Sequence, residues 1–336
     1  MFRERFKYYK SKWTVPDFKD VIDFESESDQ TVNELILNNC QTLGKLPPGL
    51  QPLHTWRCFN LPNHPGLIIV RNAFTAHGQR YWIARSLKDF PHHPNVVNLN
   101  DKLFSQPVIE DWWTELQKCE DKNEARRMKI GLRWATLGYH HDWNTKVYNE
   151  NMRGTFPTDL GQLCSFFAKV LDFEKFNAEA AIVNYYPIGT TLSGHTDHSE
   201  QNLTAPLFSL SFGQTAIFLI GGKSIEEKPS AIFLQSGDLL IMSQEARLCY
   251  HAVPRIMKTQ KEPWNENIAP NCAYLPNGKK VKTDFLLDPT EWNINATLFE
   301  KVIDETFWMP YRNYLNDSRI NINVRQVLNE GSMGLS

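Results

Sequence analysis

The sequence predicts an α+β protein in which helices of the N-terminal half pack on a β-sandwich or β-barrel formed by the C-terminal half. After Ala178, short apolar runs alternate with glycine-containing turns, which is typical of a sandwich or barrel. In the first half, apolar residues recur at helical spacing, as in residues 76–90 and 158–171. The 336 residues, 41% of them hydrophobic and 22% charged, are enough to bury a large core.

The first helix is predicted within residues 2–13. Phe2, Phe6 and Tyr9 form an apolar stripe at helical spacing, and five lysines or arginines accompany the single acid Glu4. Two interpretations are equally supported by this pattern. The helix is either a solvated helix packed through its stripe, or an arm whose cations grip phosphate groups.

The region between this helix and the strands alternates strand and helix. Residues 67–70 predict a strand, and the helix at 76–90 ends before Pro91, because proline cannot continue a helix. A further helix begins near Ser105 and runs into a basic stretch at 118–133, for which a solvated helix face is the favoured interpretation. Residues 132–143 are dense in aromatic and imidazole groups. Such clusters usually belong to the core, but the few aliphatic residues after Leu137 and the turn-prone Gly138 equally allow this one to line a pocket.

Strands dominate the remainder of the chain. They are predicted at residues 178–187, 207–212, 216–220, 231–235, 239–242, 248–254 and 319–327. Prolines and a glycine interrupt residues 257–290, which are predicted to form a long inserted loop. Residues 291–315 are predicted to be helical.

The last of these strands has one polar face. Arg319, Asn321, Asn323 and Arg325 alternate with apolar residues, and period two places all four on the same side. On an edge strand this side would face water. If the strand lines a barrel, two guanidinium groups point inward, where buried cations need partners. A dicarboxylate ligand is a natural partner, because a guanidinium and a carboxylate form paired hydrogen bonds.

A pair of candidate metal ligands precedes the second strand. His195 and Asp197 are two residues apart, so in an extended strand they share a face, roughly 7 Å apart at their Cα atoms. His251 supplies a second imidazole further along the chain. Two histidines and one carboxylate with open positions form the facial triad of non-haem Fe(II) oxygenases. His198 alternates to the other face and is not expected to be a ligand.

Charge and cysteine usage exclude several classes of protein. A formal net charge of −2 excludes a uniformly basic protein but allows a local basic patch. The six cysteines are scattered without a Cys-x-x-Cys pair, so reduced thiols in an intracellular compartment are expected. No apolar run approaches membrane-spanning length, and residues 1–13 lack the apolar core of a secretory signal.

Together, the motifs Asn184-x-Tyr186, His195-x-Asp197, His251 and Arg319-x-Asn321-x-x-x-Arg325 resemble those of the AlkB family of Fe(II)- and 2-oxoglutarate-dependent dioxygenases. The resemblance extends from about Leu67 to Leu328 and implies a double-stranded β-helix (jelly-roll) core with N-terminal helices packed on it. It also implies three regions: an N-terminal extension at 1–66, a region with substrate-recognition elements at 67–177, and the oxygenase core at 178–336 containing the 257–290 loop.

The same resemblance implies roles for individual residues. The iron ligands and catalytic centre would be His195, Asp197 and His251. The residues that contact or brace 2-oxoglutarate would be Asn184, Tyr185, Tyr186, Arg319, Asn321, Asn323 and Arg325. The residues that approach the substrate base would be Trp113, Tyr139, His140 and His141.

The function implied by the resemblance is oxidative demethylation of nucleic acid with Fe(II), 2-oxoglutarate and O₂, releasing formaldehyde, succinate and CO₂. The implied substrates are tRNA carrying 1-methyladenine or 5-methylcytosine, and single-stranded or flipped-out DNA carrying N6-methyladenine. Three alternatives stay open: the same chemistry on a protein such as a histone, a lyase acting at abasic sites, and a metal-holding binding protein without turnover. A monomer without membrane contact, in the nucleus, cytoplasm or mitochondrion, is expected.

Overall fold

The computed structural model describes residues 1–25, 32–37, 45–173, 175–266, 272–274, 280–282 and 289–335. The α-helices in this part of the chain are α1 (Phe2–Lys10), α2 (Ala76–Ala84), α3 (Gln106–Glu110), α4 (Trp112–Lys118), α5 (Lys122–Gly131), α6 (Thr158–Val170), α7 (Ala296–Lys301) and α8 (Glu305–Leu315). None of these helices has the length and apolar composition needed to cross a membrane.

The strands, numbered in chain order, are β1 (Val21–Ile22), β2 (Asn33–Leu35), β3 (Arg57–Asn60), β4 (Leu67–Arg71), β5 (Val96–Val97), β6 (Trp134–Asp142), β7 (Val147–Arg153), β8 (Ala180–Pro187), β9 (Leu192–His195), β10 (Leu207–Gly213), β11 (Thr215–Ile220), β12 (Ser230–Leu234), β13 (Leu239–Met242), β14 (His251–Met257), β15 (Cys272–Tyr274), β16 (Lys280–Lys282) and β17 (Ser318–Arg325). Apart from the β15–β16 pair, they form two sheets.

The two sheets are antiparallel, except that β1 pairs with β12 in parallel. The smaller sheet has the order β1-β12-β11-β14-β9, and the larger has the order β2-β3-β4-β13-β10-β17-β8-β6-β5, with β7 paired to β6. Apolar side chains from both sheets, such as Leu240 and Phe218, share one buried cluster. This confirms the predicted α+β class, and the arrangement is consistent with a jelly-roll core. Strands from all three regions predicted from the sequence belong to the larger sheet. The boundaries between these regions stay a prediction.

Helices cover the outer face of the larger sheet. Trp82 of α2, Phe167 of α6 and Trp308 of α8 belong to the same buried cluster as Ile320 and Ile322 of β17. At about 25 cal/mol per Å² of buried apolar area, this cluster is the main favourable contribution to folding. The other face of β17 therefore points to the interior between the sheets, which agrees with the alternation predicted from the sequence.

Helix α1 covers the outer face of the smaller sheet. Phe2 and Tyr9 are buried there, and the Phe2 ring lies so close to Gly194 that a Cβ atom on that glycine would stand 2.8 Å from it. At the other end, the Arg255 guanidinium donates to the carbonyl of Tyr9 at 2.6 Å and to that of Ser11. The predicted packing through an apolar stripe is confirmed, whereas a grip on phosphates stays a prediction.

Two predicted elements differ from the structure. The strand expected from 248 begins at His251, because residues 244–248 form a 3-10 turn that opens with a positive φ at Gln244. Of the predicted loop at 257–290, residues 267–271, 275–279 and 283–288 lie outside the described part of the chain. The described residues include the end of β14 at Met257, a 3-10 turn at Pro263–Asn265 and the strand pair β15–β16.

Candidate metal centre and cosubstrate pocket

Two neighbouring strands bring the predicted histidines together. β9 ends at His195, β14 begins at His251, and the two residues face each other in the antiparallel register, with ring centroids 4.3 Å apart. The sequence suggested that Asp197 and His195 share a strand. In the structure they do not, because β9 ends at His195. The carboxylate instead reaches the histidines from the loop that follows, with Oδ1 3.7 Å from Nε2 of His195 and Oδ2 3.9 Å from Nε2 of His251.

Backbone carbonyls orient both imidazole rings. Nδ1 of His195 lies 2.9 Å from the carbonyl oxygen of Ser193, and Nδ1 of His251 lies 3.1 Å from that of Cys249. Each Nδ1–H therefore donates to a carbonyl, and each Nε2 keeps its lone pair for the space shared with Asp197. The three ligand atoms lie within 4.8 Å of one another. Two imidazoles and a carboxylate at this spacing fit a divalent iron ion.

Electrostatics keep His251 and Asp197 in their ligating forms at neutral pH. Burial, together with the neighbouring His195, lowers the pKa of His251 to about 4, so the ring is neutral. Burial by itself would raise the pKa of Asp197, but the Arg325 guanidinium and the two histidines hold it well below its usual range. The carboxylate is therefore charged and ready to receive a cation.

Arg319 points into the interior between the sheets without an acidic partner. Its side chain is 2% exposed, Nη2 donates to Ser211 Oγ at 2.7 Å, and Nη1 is 3.4 Å and 3.3 Å from the carbonyls of Gln214 and Leu234. Its Nε is buried without a partner, and no carboxylate of the described residues lies within ion-pair distance of it. Burial lowers its pKa to about 10, so the residue remains charged. An uncompensated buried guanidinium fits an anionic ligand such as the distal carboxylate of 2-oxoglutarate.

Neighbouring strands line the same pocket. Tyr186 faces Arg319 across the β8–β17 register, and Asn184 faces Asn321 two residues along. Asn321 is largely buried and donates to Ser209 Oγ at 2.9 Å, so its amide braces the strand β10. Asn323 shares this face by strand alternation and is half-buried. The structure therefore brings these predicted residues together on one side of the larger sheet.

Two of the predicted cosubstrate residues have other partners. Tyr185 alternates to the helix-covered face, where its hydroxyl donates to the carbonyl of Ser86 at 2.6 Å, so it lies away from the pocket. Arg325 is already engaged, since its Nη2 donates to Oδ2 of Asp197 at 2.8 Å and its Nε lies 3.3 Å from Glu200. Its position favours bracing of the metal centre over an anchoring role for 2-oxoglutarate.

Trp113 and His140 lie away from the triad. Trp113 is 6% exposed and stacks on Tyr311, with ring centroids 4.8 Å apart, within the helix-side core. His140 is buried, and it lies on the face of β6 opposite to Tyr139 and His141. Its Nδ1 is 2.8 Å from Thr136 Oγ1. These positions give both side chains packing partners within the protein, and their contact with a substrate base stays a prediction.

Among the residues predicted to approach the substrate base, His141 contacts the loop that carries Asp197. Its Nε2 lies 3.1 Å from Oγ of Ser199, in the same loop as Asp197, while its Nδ1 is buried without a partner. Its ring packs edge-on against Trp143 at 4.7 Å. Tyr139 shares this face of β6, and its hydroxyl donates to the carboxylate of Glu150 at 2.6 Å.

Sequence reasoning did not single out several partners of the site. Ser211 meets Arg319 because β10 and β17 are adjacent strands, which no local pattern indicates. Glu200 and Arg247 form a fully buried ion pair of 2.9 Å beside the Asp197 loop. In the sequence, Glu200 lies close to Asp197 and Arg247 lies close to His251. Charged residues occur near metal ligands too often by chance for this proximity to predict the ion pair.

Comparison with known proteins agrees with the fold and the site. The family model described as "2OG-Fe(II) oxygenase superfamily" matches residues 66–325. The chain is 35% identical over 346 residues to the human "Nucleic acid dioxygenase ALKBH1", covering 97% of this chain and 84% of the relative. It is 30% identical to the Arabidopsis thaliana "DNA N(6)-methyladenine demethylase ALKBH1A", covering 95% and 90%. It is 32% identical to the Schizosaccharomyces pombe "tRNA demethylase abh1", covering 97% and 95%.

These matches extend over nearly the whole chain and include the triad and the polar strand. The chain therefore belongs to the AlkB family of 2OG-Fe(II) oxygenases. Membership implies Fe(II) and 2-oxoglutarate, and the cluster of His195, Asp197 and His251 provides the corresponding metal-ligand geometry.

Proposed function

We propose that this protein oxidatively demethylates methylated bases in nucleic acid, with tRNA carrying 1-methyladenine or 5-methylcytosine as the first candidate and DNA carrying N6-methyladenine as the second. The observation that carries the proposal is a His-Asp-His cluster together with the buried guanidinium of Arg319, which has no ion-pair partner among the described residues. Tyr186 connects the two, because the charges of both Arg319 and Asp197 act on its hydroxyl. The printed names of the relatives, which specify nucleic acid, tRNA and DNA, support the substrate class.

In this proposal His195, Asp197 and His251 hold Fe(II), and Arg319 with Ser211 holds the distal carboxylate of 2-oxoglutarate. When bound, Fe(II) and 2-oxoglutarate would supply the activation of O₂, in which one oxygen atom ends in succinate as CO₂ is released and the other hydroxylates the methyl carbon. An N-hydroxymethyl group, as formed from 1-methyladenine or N6-methyladenine, then loses formaldehyde and restores the N–H bond, whereas the hydroxymethyl group formed from 5-methylcytosine is bonded to carbon and stays on the base. The protein contributes by binding the cosubstrate, orienting the carboxylate of Asp197 and excluding water from the interior.

The substrate base is proposed to enter beside His141. This half-buried residue lies next to the loop that carries Asp197, and its Nε2 is 3.1 Å from Ser199 Oγ in that loop. Trp143 is half exposed beside it and offers an aromatic surface for stacking. A base within a duplex cannot reach such a site, so the substrate is single-stranded, looped or flipped out. Action as a monomer is part of the proposal.

The test is to incubate bulk tRNA and genomic DNA separately with the Fe(II)-loaded protein, 2-oxoglutarate and O₂, and to count each modified nucleoside by mass spectrometry. We expect either loss of an N-methylated nucleoside with matching formaldehyde and succinate, or conversion of 5-methylcytosine to its hydroxymethyl form with matching succinate. His251→Ala should show neither product. A parallel reaction with histone peptides and an abasic-site oligonucleotide covers the alternatives. Demethylation of peptide alone, or strand cleavage that persists in His251→Ala, would replace the proposed function.

A further inference from the structure

A group of four buried charged side chains lies behind the candidate metal centre. It consists of Asp197, Glu200, Arg247 and Arg325, two acids and two arginines, so its formal charge is balanced. Only Asp197 belongs to the triad. Buried ion pairs cost desolvation energy and are weak sources of stability by themselves, so a network at this position calls for another role.

Arg247 joins the two segments that carry the ligands. It lies in the 3-10 turn just before the strand that begins with His251, and its side chain is 2% exposed. Its Nη1 donates to the carbonyl of Asp197 at 2.8 Å, and its Nε donates to the carbonyl of Ala205 at 3.0 Å. Its Nη2 donates to Oε2 of Glu200 at 2.9 Å. One guanidinium therefore ties the loop after β9 to the turn before β14 at three points.

Glu200 passes this restraint on to the Asp197 carboxylate. Its Oε1 accepts a hydrogen bond from the Tyr148 hydroxyl at 3.2 Å and lies 3.3 Å from Nε of Arg325. Arg325 in turn donates to Oδ2 of Asp197 at 2.8 Å. The charge of Glu200 also limits how strongly Arg325 is drawn to Asp197, since the guanidinium is shared between the two acids. A metal ion competes with Arg325 for the same carboxylate.

We propose that Arg247, acting through Glu200, is a positioning residue that sets the Asp197 carboxylate against His195 and His251 before the metal binds. The physical reason is that Asp197 lies beyond the end of β9, where no strand ladder restrains the backbone. Residues that orient metal ligands in this way typically change metal affinity 10- to 100-fold when they are removed. The inference rests on the proposed iron site and is independent of the identity of the substrate.

The experiment measures Mn(II) binding by calorimetric titration of metal-free protein, with no turnover required. Arg247→Met is expected to weaken Mn(II) binding about 10- to 100-fold, and Arg247→Lys, which keeps the charge and part of the hydrogen bonding, is expected to recover part of the loss. Glu200→Gln is expected to weaken binding as well. Because both residues act as one unit, the double variant Arg247→Met/Glu200→Gln should lose less than the product of the two single losses.

Arg80 provides a matched control. It is also 2% exposed, donates to two backbone carbonyls, of Trp264 at 2.7 Å and Val302 at 3.2 Å, and pairs with Glu305 at 2.7 Å, but it lies among the helices. Arg80→Met should lower thermal stability but leave the Mn(II) affinity of the folded protein within about twofold of the wild type. That change is much smaller than the loss expected for a residue that orients a metal ligand.

Unchanged Mn(II) affinity in Arg247→Lys, Arg247→Met and Glu200→Gln would overturn the inference, as would an equal loss in Arg80→Met. If Arg247→Met does not fold, the lysine and glutamine variants carry the test. Wild-type protein that fails to bind Mn(II), or that binds it equally well after His195→Ala, would refute the proposed iron site itself and is thereby distinguished from a failure of the positioning role.

Discussion

Replacing Arg319 by methionine is expected to stabilise the cosubstrate-free protein while abolishing its response to 2-oxoglutarate. Burial lowers the pKa of Arg319 to about 10, well below the usual value of a guanidinium. At about 1.4 kcal/mol per pKa unit, burying the charged side chain costs ~3 kcal/mol. Methionine loses the 2.7 Å hydrogen bond to Ser211, worth about 1 kcal/mol, and the longer ones to the carbonyls of Gln214 and Leu234, worth about 0.5 kcal/mol each. The free energy of unfolding should therefore rise by about 1 kcal/mol.

Urea unfolding of the metal-free proteins measures the first effect, and unfolding with Mn(II) and 2-oxoglutarate at 100 times its Kd measures the second. The wild type should gain about 2.7 kcal/mol from 2-oxoglutarate, and Arg319→Met should gain nothing. Arg80→Met is the control, because this buried arginine already has a carboxylate partner in Glu305 and its removal should destabilise the protein. The reasoning fails if Arg319→Met is the less stable protein, or if 2-oxoglutarate stabilises it as it does the wild type.

Three further predictions follow from burial and charge. Between pH 7.5 and 5 the metal-free protein should lose about 2 kcal/mol, because unfolded His251, with an ordinary pKa near 6.5, takes up a proton that the folded residue, with a pKa of about 4, does not; urea unfolding should show a flatter profile for His251→Asn. Trp113→Ala should cost about 3–5 kcal/mol of stability and leave the KM for the nucleic-acid substrate of the folded variant unchanged; a raised KM in steady-state kinetics would show that Trp113 contacts the substrate. Replacing Arg3, Lys7 and Lys10 of α1 by glutamine should weaken RNA binding for all sequences and reduce its salt slope by up to about one per lost phosphate contact; an unchanged slope in anisotropy titrations would make the helix purely structural.

Local sequence patterns predicted the candidate site in part. The alternation of β17 identified the polar face that holds Arg319 and Asn321, since period two is a local property of an extended chain. The spacing of His195 and Asp197 identified two ligands, although the strand ends at the first of them. Aromatic density was a poorer guide, because an aromatic group that lines a pocket and one that fills a core look the same in sequence. Residues 132–143 illustrate this, since Tyr139 is buried whereas Trp143 is half exposed.

The sequence by itself determined which residue types share a strand face and which could bind a cation or a carboxylate. Only the tertiary structure decided which face the helices cover, and so why Tyr186 lines the pocket while Tyr185 bonds to Ser86, 99 residues away in the chain. It also decided that Arg325 pairs with Asp197, 128 residues away, and that Arg247 restrains the same loop. These pairings depend on which strands and turns become neighbours when the two sheets close around one core, and contacts between such distant positions leave no periodic signal in the chain.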